Sequence, residues 1–266
     1  MDFDQLKFGG DTRYVKFENS IWTNNVMGRQ HYHDVFEIYF LEYGSCHYFI
    51  DDKSYEVQAG DIILIPQGTI HKTMYDSGSH RRSLIFCSIH FIPTSVIDIL
   101  PSLLYHYRNP EISDKIREII KNIEKEFSSK DDYSTDAIMS HLHLLFFLLA
   151  RNRSSTIPSH TNKTFITQTI SYIKENFSQQ IHLADIAKMH SISAEHLSRE
   201  FKKETGFGFN EYLTMLRLQN AEKLLKDGTK RSIAEIAYDC GFNDSNYFSD
   251  KFKRTYGASP IKFKNK

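Results

Sequence analysis

The period of apolar and polar positions changes along this chain, and each change marks a part. In the first hundred residues, short apolar and aromatic runs occur at Phe36 to Leu41, Cys46 to Ile50, Ile62 to Ile65 and Leu84 to Phe91. Turn chemistry at Tyr43-Gly44, Asp51-Asp52, Ala59-Gly60 and Ser77-Gly78 separates them. Short strands at such spacing predict a small antiparallel barrel or sandwich. Between Pro93 and Pro158 the period becomes helical. Ile112, Ile116, Ile119, Ile120, Ile123 and Phe127 form one stripe with Lys and Glu opposite, so that helix has a face to bury. Ala137 to Ala150 (AIMSHLHLLFFLLA) is apolar nearly all round and predicts a helix packed on several sides. The pair can complete the core of the barrel or bury its stripe against a second subunit. Arg151 to Asn162 (RNRSSTIPSHTN) then has the composition of an interdomain linker.

Beyond it the pattern is written twice. The stretch ADIAKMHSISAEHLSREFKKETG from Ala184 to Gly206 is answered by AEIAYDCGFNDSNYFSDKFKRTYG from Ala234 to Gly257. Ala184, Ile186 and Ala187 recur as Ala234, Ile236 and Ala237, whereas Leu197, Phe201, Lys202 and Gly206 recur one residue later in step, as Phe248, Phe252, Lys253 and Gly257. An insertion confined between two apolar segments is what a pair of helices joined by a tight turn tolerates, so each copy predicts a helix-turn-helix. Ser193 and Asp244 are suited to cap the second helices. On these, Leu197 and Phe201, or Phe248 and Phe252, face inward; Glu195, Ser198, Arg199 and Lys202, or Asn246, Ser249, Asp250 and Lys253, face outward. Phe165 to Phe177 predicts a supporting helix. Phe209 to Lys226 predicts one joining helix of about 27 Å, able to set two recognition helices roughly one DNA turn, about 34 Å, apart.

Composition narrows the class. At 266 residues the chain can hold two compact domains without disulfides or metal. Three cysteines without metal-like spacing favour a reducing cytoplasm. The acidic start, MDFDQLKFGGD, lacks a secretory signal, and the longest apolar run, Leu144 to Ala150, is too short to span a bilayer. The expectation is a soluble cytoplasmic protein with no membrane partner. A net charge of zero hides an asymmetry: residues 164–266 carry 16 Lys+Arg against 12 Asp+Glu, and the remainder 17 against 21. A surplus of this size is also found on ordinary solvated surfaces; the repeat gives it meaning.

Two further motifs carry candidate chemistry. GRQHYHDVFEIYFLEYG places His31, His33 and Glu37 on one strand parity, and GDIILIPQGTIH supplies His71. Three such groups and a histidine from a neighbouring strand can hold a divalent ion. They can equally form a hydrogen-bonded polar cluster lining a small-molecule pocket, with no ion. His47, His80, His90 and His106 lack comparable spacing and read as ordinary surface or core residues.

These two motifs resemble the signatures of the cupin barrel, with Tyr75 where the family has asparagine. Residues 165–264 resemble the DNA-binding domain of the AraC/XylS family of transcriptional regulators, including Arg217, Ala221 and Leu224-Leu225 on the joining helix and the run from Ile233 to Pro260. The resemblance implies an α+β chain: a cupin-like antiparallel barrel (1–100), a helical dimerisation region (101–151), a linker (152–163) and an all-α double helix-turn-helix domain (164–266). It further implies a homodimer that binds promoter DNA and responds, usually by activation, to a small effector, often a sugar, held near His31, His33, Glu37 and His71. Base contacts fall on Glu195, Ser198, Arg199, Ser245, Asn246 and Ser249. Lys202, Lys203, Lys253 and Arg254 are left for phosphates. Asp250 departs from the family, where an acid is unusual. Two rivals stay open at this stage: a metal-dependent cupin enzyme with an appended DNA-binding module, and an adaptor that meets proteins through its apolar helices.

Overall fold

The computed structural model describes residues 5–8, 13–22, 35–75, 78–103, 105–152, 165–227 and 230–264. Its compact units are Met1–Ile50, Tyr55–Thr69 and Thr73–Ser159 on the one hand, and Asp51–Ser54, Ile70–Lys72 and His160–Lys266 on the other. The strands are β1 (Gln5–Phe8), β2 (Arg13–Trp22), β3 (Phe36–Tyr43), β4 (Ser45–Ile50), β5 (Lys53–Gln58), β6 (Ile62–Ile65), β7 (His71–Tyr75), β8 (His80–Cys87) and β9 (Tyr105–Tyr107). A six-stranded sheet runs β1-β2-β8-β3-β6-β9, and a three-stranded one β5-β4-β7.

The two-residue period of the strands sorts side chains into two cores. Tyr39, Leu41, Ile63, Ile65, Leu84 and Phe86 of the large sheet meet Cys46, Tyr48, Ile50, Tyr55 and Val57 of the small one, forming the barrel interior. The alternate residues, Val15, Phe17, Ile38, Phe40, Ile62, Leu64, Ile85 and Cys87, face the other way and pack against helices.

Those helices are α1 (Thr94–Ile97), α2 (Pro110–Ser129) and α3 (Ser134–Arg151). Asn109 caps α2 by accepting a bond from the Glu111 N–H at 3.0 Å, and Pro110 fills the first helical position. Ile112, Ile116, Ile120, Ile123 and Phe127 pack onto the outer sheet face, so the stripe completes the core of its own chain. On α3, Ile138, Leu142, Leu145, Phe146 and Leu149 are buried, but Leu144 is 54% exposed. One side of this nearly all-apolar helix is therefore open, against the expectation of packing on several sides.

Two strand expectations need correction. The run from Leu84 to Phe91 does not stay extended: β8 ends at Cys87, and a tight helical turn, Ile89–Phe91, carries the fully buried Phe91 into the helix-side core. Within the stretch read as helical, Tyr105–Tyr107 is a strand paired to Ile62–Leu64. His106 on it is no ordinary core residue. Its Nε2 meets the Asp61 carboxylate at 2.8 Å, and Arg108 binds the same carboxylate through Nε and Nη2 at 3.0 and 2.8 Å.

The second unit holds α4 (Phe165–Asn176), α5 (Leu183–Met189), α6 (Ala194–Thr205), α7 (Phe209–Lys226), α8 (Ile233–Asp239), α9 (Ser245–Tyr256) and α10 (Pro260–Lys264). The joining helix α7 has the expected limits and, at 18 residues, a length of about 27 Å. No helix among the described residues is long and apolar enough to cross a membrane.

Candidate nucleic-acid interface and barrel interior

The two helix-turn-helix copies share the backbone bond that closes their turn. After α5, Ser191 takes a left-handed φ of 56°, and the Ile192 N–H returns to the Ala187 carbonyl at 3.0 Å. After α8, Gly241 takes φ 86°, and the Phe242 N–H returns to Ala237 at 3.0 Å. Up to this point the copies are fifty residues apart in step. Asn243 is the extra residue that precedes the second cap. Ser193 Oγ accepts from the His196 N–H at 3.1 Å, and Asp244 Oδ1 accepts from the Asn246 and Tyr247 N–H groups at 2.6 and 3.0 Å. Both second helices stop at a glycine in the left-handed region, Gly206 at φ 75° and Gly257 at φ 73°.

Leu197, Phe201, Phe248 and Phe252 are fully buried. Their opposite faces are presented to solvent. Glu195, Ser198, Arg199, Lys202 and Lys203 are exposed on α6; Asn246, Asp250, Lys253 and Arg254 are exposed and Ser245 and Ser249 half-buried on α9. The Arg199 guanidinium donates to His196 Nδ1 at 2.8 Å and to Glu200 at 3.3 Å, so it is held against its own helix rather than fully extended. Glu195 sits in the first turn of α6, where bonds from backbone N–H and from Ser193 hold its carboxyl below the ordinary range. Asp250 pairs with Arg254 one turn later at 3.1 Å. That pair offsets a cation on the outer face of α9.

The barrel interior is more polar than its apolar runs suggest. Strand register puts Lys16, Glu18 and Ser20 of β2 opposite Phe86, Leu84 and Arg82 of β8, and Phe86 and Leu84 opposite Glu37 and Tyr39 of β3. Glu37 is 2% exposed and accepts from the Tyr48 hydroxyl at 2.7 Å. Burial, and then the charge of Glu37, push the Tyr48 hydroxyl far above its usual pKa. Tyr39 stands edge-on to Tyr48 at 5.1 Å, with its hydroxyl 3.4 Å from the Cys46 thiol. Arg82 donates to the Tyr75 hydroxyl and to Ser20 Oγ, and lies 3.6 Å from Glu18. His80 stacks on Tyr75 at 3.6 Å.

Of the four residues expected to hold an effector, Glu37 and His71 are buried on the strands. His31 and His33 lie outside the described residues. Among the described residues no three His, Cys, Asp or Glu side chains converge as a metal-ion set, and Glu37 is already engaged by a hydroxyl. Sequence reasoning missed Tyr39, Tyr48, Arg82 and His80. For Tyr48 and Arg82 a signal existed, since each shares its strand parity with interior residues, Cys46 and Leu84.

A barrel with a polar-lined interior, followed by two matched helix-turn-helices on one joining helix, defines a DNA-binding regulator with a domain for a small ligand. The chain belongs to the AraC/XylS family of transcriptional regulators. An AraC-like ligand binding domain family matches residues 18–146, and a helix-turn-helix domain family matches residues 186–266. The chain is 26% identical over 246 residues to the HTH-type transcriptional activator RhaR of Mannheimia succiniciproducens, covering 89% of this chain and 87% of that protein. It is 25% identical over 240 residues to the HTH-type transcriptional activator RhaS of Escherichia coli strain SE11, covering 87% and 85%. Among solved structures, the C-terminal domain of AraT, a response regulator from Geobacillus stearothermophilus, is 34% identical at a TM-score of 0.36, covering 38% of this chain and 84% of that one.

Proposed function

We propose that this regulator activates a promoter when a small effector, of which sugars are the first class to try, occupies its barrel. The matched pair of exposed polar helix faces carries the reading, and the naming of RhaR and RhaS as activators supports its sign. Glu195, Ser198 and Arg199 on α6 and Ser245, Asn246 and Ser249 on α9 meet base edges, Arg199 pairing with guanine and Asn246 with adenine. Lys202, Lys203, Lys253 and Arg254 meet phosphates, adding affinity and salt dependence without sequence reading. The second helix contributes less, because Asp250 repels phosphate and engages Arg254. Two chains pair through the open side of α3 around Leu144, which is 54% exposed. Buried free cysteines and work on DNA support a cytoplasmic location.

The effector lies near Glu37 and His71, and the sequence motif offers His31 and His33 as further ligands for it. Its binding energy alters promoter occupancy only through a difference in affinity for two arrangements of the protein. The lone tryptophan, Trp22, is opposite His80 in strand register and serves as a reporter. Titration with a panel of monosaccharides is expected to find one that shifts Trp22 fluorescence and tightens promoter binding. Glu37→Gln should raise its half-effect concentration roughly tenfold, about 1.4 kcal/mol, as for a lost hydrogen bond to a charged group. A sugar that shifts Trp22 yet leaves promoter affinity unmoved would contradict the coupling.

A further inference from the structure

One helix joining two small helical bodies lets them pivot about its ends. In this chain a second connection spans them. Arg217, halfway along α7, donates from Nε to the Phe177 carbonyl at 2.7 Å and from Nη2 to the Gln179 carbonyl at 2.7 Å. Both carbonyls belong to the loop that follows α4 and leads into the first helix-turn-helix. The same guanidinium stands 6.0 Å from the ring of Phe242, in the turn of the second. Its planar fork satisfies two carbonyls while stacking on an aromatic face, which a lysine cannot do.

Two more contacts close the connection. A Cβ on Gly241 would lie 2.7 Å from the Phe177 carbonyl oxygen, 2.9 Å from the Ser178 carbonyl oxygen and 2.9 Å from Arg217 Nε. Its counterpart in the first copy, Ser191, has the same left-handed backbone and carries a side chain. Glycine at 241 is thus required by the close approach of the loop, over and above its φ. Asn243, the residue inserted in the second copy, accepts from Gln180 Nε2 at 2.6 Å. The irregularity that breaks the step of the repeat is itself one of the contacts.

We infer that Arg217, Gly241 and Asn243 form a clamp between the loop after α4 and the turn of the second helix-turn-helix, fixing both recognition helices in one frame and thereby setting the operator spacing the protein accepts. Arg217 is a positioning residue, acting through Phe177, Gln179 and Phe242. The inference rests on both helices reading DNA. Each inserted base pair moves the second site by about 3.4 Å and turns it by about a tenth of a revolution, a change that a pivoting pair absorbs and a clamped pair does not.

The test uses the full chain, DNA selected for binding to it, and versions of that DNA with one or two base pairs added between its two elements. Wild type should lose roughly tenfold or more in affinity per inserted pair, as for a mismatched contact. Arg217→Ala should bind the native spacing more weakly but lose less than about threefold on insertion, as its two halves move independently. Arg217→Lys should behave like the alanine variant, and Asn243→Ala, a milder change, should shift the penalty in the same direction. Circular dichroism checks folding; if Arg217→Ala fails to fold, the lysine and Asn243 variants carry the same readout. Equal spacing penalties in wild type and folded variants would overturn the clamp. Selected DNA with only one element would instead overturn the reading of both helices.

Discussion

Arg199→Ala is expected to weaken binding to the operator by about 1–3 kcal/mol, roughly five- to a hundred-and-fiftyfold, and to erase the preference at one base pair. The guanidinium is exposed at the outer face of α6, and His196 at 2.8 Å and Glu200 at 3.3 Å hold it in place there. Those bonds occupy Nη2 and Nε, so a bidentate pairing with guanine replaces them, and part of its energy goes to releasing His196 and Glu200. Lys202→Ala should act differently. It should weaken all sequences alike and lower the slope of affinity against salt by about one unit. Mobility-shift titrations against the operator and its single-base variants separate the two. If Arg199→Ala binds every variant as wild type does, α6 does not read through this residue.

Asp61→Ala should cost the barrel unit about 3–5 kcal/mol of stability, as when one partner of a buried ion network is removed. The Asp61 side chain is 2% exposed and accepts bonds from His106, from Arg108 twice over and from the Gln58 N–H. Burial raises its pKa, but the hydrogen bonds from His106, Arg108 and Gln58 outweigh burial and hold it below the ordinary value. A depressed folded pKa contributes stability above the unfolded value of about 3.9, and that contribution is lost as the pH falls through the folded value. Thermal melts should therefore show wild type losing stability below roughly pH 4, with a flatter acid limb in Asp61→Asn. Melts that are the same for all three proteins would assign the network no structural weight.

The helical unit was legible because its physics is local. Caps, turn residues and inward aromatics lie within one or two turns of each other, and the repeat supplies an internal control: Ser193 and Asp244 cap as expected, and α7 has the expected limits. The barrel was legible where a short apolar run is bounded by turn residues, as in β3, β4 and β6. Strands β2 and β7 were missed because they turn charged or polar residues inward. Lys16 and Glu18 on β2 break the apolar run, and His71 and Thr73 do the same on β7. The Asp61 network joins residues 45 and 47 positions apart, a separation that no window of periodicity spans. Arg217 was visible as part of the family pattern, but its work depends on carbonyls 38 and 40 positions away.

The central claim is that one chain reads DNA with two helices set about a helical turn apart, and selection from a random duplex library by purified protein tests it most directly. The account predicts two short constrained blocks, centred roughly 10–10.5 base pairs apart, the first containing an essential guanine and the second less strictly defined. Recovery of a single block, or of no sequence above background, would contradict it.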